Sequence, residues 1–99
     1  MPAKRPPWFP GGTIRIADDV LASAFENELV LLNLRDGIYY GLEGVGTRVW
    51  SLMQRPIPIA EIRDMIVAEF DVDRARCEAD LRVLLAALVD RGLAVVKPV

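Results

Sequence analysis

The segment from Glu28 to Leu42 constrains the fold more than any other part of the chain. Leu29, Val30, Leu31 and Leu32 run together, Arg35-Asp36-Gly37 interrupts them, and Ile38-Tyr39-Tyr40 resumes with residues that favour extended backbone. Asp-Gly between two apolar runs is a strong hairpin signal, because glycine accepts the positive φ that the turn needs. Strands are therefore expected at Glu28–Leu34 and Ile38–Leu42, with shorter extended pieces at Thr13–Ile16 and Ala22–Phe25.

From Gly44 the apolar period changes. Val45, Val49, Trp50, Leu52 and Met53 approximate helical spacing, and Pro56 and Pro58 then punctuate the chain. Ile59, Ile62, Met65, Ile66 and Phe70 follow as one amphipathic stripe. Either Asp71 or Asp73 can cap a last helix that runs to about Arg91, with Gly92 as its stop. Leu93–Lys97 reads as a closing strand or extended segment packed on the helices. Strand patterns followed by helix patterns indicate an α+β fold. The expectation is a three-stranded antiparallel sheet followed by three helices, winged helix-turn-helix-like. The chain of 99 residues fits one domain at 13–99, after a flexible Pro-rich tail at 1–12 that holds Pro2, Pro6, Pro7 and Pro10. Trp8 and Phe9 in that tail are expected to fold back over the edge of the core rather than to meet a partner.

Composition narrows the chemistry. There is no histidine, so neither a Ser-His-Asp nor a Cys-His constellation can form, and no imidazole can bind metal. The single cysteine, Cys77, excludes an internal disulfide and a Cys-rich metal site. Glu69, Asp71 and Asp73 at a helix junction, and Asp18 beside Asp19, read as caps and solvated groups rather than acid–base pairs. Gly41-Leu42-Glu43-Gly44-Val45-Gly46 has neither dinucleotide-fingerprint spacing nor a phosphate-binding lysine. No catalytic residue, metal or cofactor is expected. The 12 basic and 14 acidic residues leave a formal net charge of −2, which argues against a nucleic-acid partner. The sequence carries neither a signal-peptide apolar run nor a membrane-spanning stretch. With one unpaired cysteine the expected location is cytoplasmic, without a membrane partner.

Two elements suit peptide binding. In the strand at 38–42, alternation puts Ile38, Tyr40 and Leu42 on one face and Tyr39 and Gly41 on the other. None of these residues guards a sheet edge in the way lysine or proline does, so the strand can template another strand unless the tail or a second copy covers it. On the last helix, Cys77, Leu81, Leu84, Leu85 and Leu88 form a core stripe, with Cys77 read as a small buried hydrophobe rather than a reactive thiol. A second, mixed face of Arg76, Asp80, Val83 and Ala87 fits either a groove wall or an ordinary solvated surface.

The ordered set Leu31-Leu32-Asn33-Leu34-Arg35-Asp36-Gly37-Ile38-Tyr39-Tyr40-Gly41-Leu42, Gly46, Val49-Trp50, Glu69-Phe70-Asp71-Val72-Asp73, Asp80-Leu81 and Gly92-Leu93 resembles the PqqD-like family over about residues 13–97. Glu43 stands where many relatives have asparagine. The resemblance implies a recognition element for ribosomally synthesised, modified peptides (RiPPs), similar in its free-standing length to the B1 proteins of lasso-peptide clusters or to PqqD. It implies non-catalytic binding of a precursor's leader region as a strand beside Ile38, Tyr39, Tyr40, Gly41 and Leu42, with Arg76, Asp80, Val83, Leu84 and Ala87 lining the groove. It also implies delivery of that peptide to a tailoring enzyme such as a leader peptidase, cyclase or radical enzyme, by a monomer or homodimer. The competing readings are a winged-helix DNA binder and a homodimer joined through the open edge. The DNA reading is weakened by Glu78 and Asp80 among Arg74, Arg76 and Arg82.

Overall fold

The computed structural model describes residues 6–98. It is α+β, as expected, but its strands divide between two sheets. In the first, β1 (Thr13–Ile16) lies between β5 (Ile57–Pro58) and β6 (Ala94–Lys97), antiparallel to both. In the second, β2 (Val20–Phe25), β3 (Glu28–Asn33) and β4 (Tyr39–Glu43) form an antiparallel meander in that order. The helices are α1 (Val45–Leu52), α2 (Ile59–Phe70) and α3 (Arg74–Asp90). The expected three-stranded sheet is the second one. The first sheet joins two of the expected extended pieces, Thr13–Ile16 and the closing segment, to the unexpected two-residue β5, and so ties together the two ends of the domain, Thr13 opposite Lys97. The likeness to a winged helix-turn-helix is loose.

The turn chemistry acts where the sequence puts it. Gly37 adopts φ 72° and its N–H donates to Asn33 O at 2.8 Å, while Asn33 N–H donates to Ile38 O at 3.1 Å. Asp36 Oδ1 accepts from Ile38 N–H at 2.9 Å, so Ile38 closes the loop and β4 proper begins at Tyr39. Between α2 and α3, Asp71 takes a left-handed conformation that ends α2, and Asp73 caps α3 by accepting from Arg76 N–H at 2.9 Å. At the far end Gly92 adopts φ 71°, as a helix stop requires.

One core joins the layers. Leu31 and Leu42 from the sheet, Val49, Trp50 and Met53 from and just after α1, Ile62 and Ile66 from α2, and Leu81, Leu85 and Leu88 from α3 are all buried. Phe9 is buried in the same cluster, with Trp8 packed against it, so these aromatics do fold back on the core. Residues 1–5 of the expected tail lie outside the described residues.

A buried polar residue ties the sheet to α3. Asn33 donates from Nδ2 to Arg91 O at 2.9 Å and accepts at Oδ1 from Arg35 N–H at 2.9 Å. It thereby satisfies a carbonyl that the C-terminus of α3 leaves open and fixes that end of the helix beside the start of β4.

Candidate functional site

Among the described residues β4 pairs only with β3, so its other edge is open. Which backbone groups point there follows from one bond. Ile38 O is turned to β3 by its bond from Asn33 N–H. Antiparallel alternation then turns the N–H and C=O of Tyr40 and Leu42 to β3, and those of Tyr39, Gly41 and Glu43 outward. Three residues of strand template are thus unused.

Beside this edge, between β4 and the helices, lies a cleft of about 350 Å³. Its apolar wall comes from Leu42, Val49, Ile66, Leu81 and Leu84, with Cys77 among them. Arg76 and Asp80 line it with opposite charges, 3.9 Å apart and largely exposed. An ion pair so exposed contributes little to stability, which leaves both groups free to orient a ligand. A second hollow of about 220 Å³ continues at the other end of β4, lined by Ile38, Tyr40, Asp90 and Arg91 among others. There the Arg91 guanidinium stands 4.8 Å from the Tyr40 ring centroid, a cation–π distance. Glu43 lines the cleft with Arg76 and Asp80, and Tyr40 lines the second hollow with Arg91, so β4 and α3 run antiparallel along this trough.

The sequence-predicted residues distribute along this trough. Gly41, Leu42, Arg76, Asp80 and Leu84 line the cleft, and Ile38 and Tyr40 line the second hollow. Tyr39 offers the edge its backbone, while alternation puts its side chain, 67% exposed, on the opposite face of the sheet. Val83 is 65% exposed and lines neither space, and Ala87, half-buried one turn beyond Leu84, also lines neither. Sequence reasoning missed Glu43, Val45, Gly46, Val49, Ile66 and Val72 in the cleft, and read Cys77 and Leu81, which also line it, as core alone. Val49 and Ile66 sit at helical spacing and read as core. The available signal was Val72, an apolar residue between two aspartates that a junction has no need to bury.

Burial pushes the Cys77 thiol up, Asp80 and Glu78 add to this, and Arg63 opposes it. The thiol is therefore protonated at neutral pH and acts as a small apolar wall. Among the described residues no three His, Cys, Asp or Glu side chains gather to hold a metal ion, and no helix is long and apolar enough to cross a membrane.

Comparison with known proteins follows the same line. The family model described as coenzyme PQQ synthesis protein D (PqqD) matches residues 28–94. The fold is similar to that of TbiB1 in complex with the TbiA(β) leader peptide, with 43% identity and a TM-score of 0.72 over 81% of this chain and 93% of that one. It is also similar to a lasso peptide synthetase B1 complexed with the leader peptide, at 22% identity and a TM-score of 0.73 over 83% of this chain and 96% of that one. No curated protein sequence matches the chain. The family match spans the hairpin, the open strand and all three helices, and by it the chain belongs to the PqqD family.

Proposed function

We propose that this protein binds the leader region of a ribosomally synthesised precursor peptide and hands it, without catalysis of its own, to a tailoring enzyme in the cytoplasm. The leader adds as a strand along β4. Tyr39, Gly41 and Glu43 exchange backbone hydrogen bonds with it, which supply sequence-tolerant affinity. Leu42 and Leu84 receive one of its apolar side chains in the cleft, Arg76 and Asp80 orient it, and Ile38 and Tyr40 take the next contact along the trough. Val83 and Ala87 form the outer rim. The observation that carries this reading is an open strand edge beside an apolar cleft walled by α3. The leader complexes of the two similar structures support it.

The test is a titration of the purified protein with labelled leader peptides, beginning with the TbiA(β) leader bound by the 43% identical TbiB1. Saturable one-to-one binding is expected, weakened by substitution at Leu84 or Asp80. Absence of binding by the intact protein refutes the proposal.

A further inference from the structure

The side of the β2–β3–β4 sheet that faces away from the helices is unusually apolar. Alternation and register put Leu21, Leu32 and Tyr39 in one row across it, with Val30 in the next and Phe25 beyond. Leu21 is 57% exposed, Phe25 68% and Tyr39 67%. Strands with one face on a core ordinarily turn polar residues outward, and a contiguous apolar patch on a small domain marks an interaction site.

The rim of this patch is acidic. Glu28 and Glu43 lie directly opposite each other in the β3–β4 register, and Glu26 stands in the adjoining turn. Among the described residues none of the three makes an ion pair. Like charges directly across a ladder cost stability, a cost that a cation from outside would remove. A second copy is a poor occupant, because the strand residues on this face, 21, 23, 25, 28, 30, 32, 39, 41 and 43, include no lysine or arginine to answer the acidic rim.

We infer that this outer face is the docking surface for the enzyme that processes the bound peptide, a partner presenting an apolar patch flanked by lysine or arginine. The inference rests on the peptide-binding reading for the partner's identity. A strand added at β4 would extend the same face, so the enzyme would meet carrier and peptide on one continuous surface.

The test uses the full chain, a fluorescently labelled leader that it binds, and a leader peptidase and a cyclase that act on the precursor carrying that leader. Leu21→Ser/Phe25→Ser and Glu26→Lys/Glu28→Lys are compared with the unaltered protein, by fluorescence anisotropy for the leader and biolayer interferometry for each enzyme at low and high salt. Leader affinity within twofold of the unaltered protein, together with at least tenfold weaker enzyme binding by both variants and weakening by salt, is the expected result. Enzyme binding unchanged in the variants, or absent from the unaltered protein, overturns the inference. So does a sedimenting dimer that the Leu21→Ser/Phe25→Ser variant splits. Failure of the leader itself to bind refutes the peptide-binding reading alone, since enzyme binding to the free protein still reports on this face.

Discussion

Replacing Gly41 by proline isolates the strand-addition step. The Gly41 N–H points to the open edge, so its loss removes no bond to β3. Proline is tolerated on an edge strand with its nitrogen turned outward, and Tyr40 before it already has the extended backbone that a following proline demands. The pyrrolidine ring then occupies the place where the leader's carbonyl would bond. A buried acceptor left without its donor costs about 1–3 kcal/mol, which at 1.4 kcal/mol per decade corresponds to roughly 5- to 150-fold in affinity. Gly41→Ala is the matched control: it keeps the N–H, and its new methyl group meets only the movable end of the Glu28 side chain on the outer face. Fluorescence anisotropy with labelled leader should give a loss in that range for Gly41→Pro and less than a threefold change for Gly41→Ala. Thermal denaturation should find both folded. Equal leader affinity in Gly41→Pro and the unaltered protein would refute strand addition at this edge.

Three further outcomes follow from the geometry. Leu84→Ser should weaken leader binding about tenfold, roughly the effect of losing part of one apolar contact, whereas Val83→Ser, on the exposed rim, should change it less than threefold by the same titration. Asn33→Ala leaves Arg91 O and Arg35 N–H without their partner, which should cost about 1–3 kcal/mol and lower the melting temperature by at least about 4 °C on the usual scaling for a domain of this size. Cys77 should react with iodoacetamide more slowly at pH 7.5 than a free thiol, because burial raises its pKa and depletes the thiolate. Its reactivity should rise with pH and fall again when the leader is bound, as read by intact mass.

Local chemistry was legible in the sequence. The Asp36-Gly37 turn, the stripe of α2 as far as Ile66 and the Gly92 stop each depend on residues within a few positions of one another and stand where the pattern put them, whereas Phe70 at the end of the stripe is exposed and the structure chooses Asp73 over Asp71 as the cap. The β2–β3 turn was harder, since Glu26 takes φ 57° with no glycine to announce it. Thr13–Ile16 and Leu93–Lys97 were legible as extended pieces, but their joining into a sheet with β5 was not, because its pairings link residues more than 40 positions apart through very short strands. Asn33 passed as one polar residue in a strand, and only its position against the end of α3 reveals its part. Of the trough, the open strand and the Arg76–Asp80–Leu84 line could be found from periodicity. Val49 and Ile66 could not, because a residue that closes a core and one that walls a cleft have the same spacing.

The central claim is that a leader strand pairs with the free edge of β4. It is tested most directly by amide hydrogen exchange, resolved by NMR, with and without saturating leader. The account predicts that the N–H groups of Tyr39, Gly41 and Glu43, open in the free protein, become protected by about a hundredfold or more on binding, while those of Tyr40 and Leu42, already bonded to β3, change far less. Saturable leader binding that leaves Tyr39, Gly41 and Glu43 exchanging as before would contradict it.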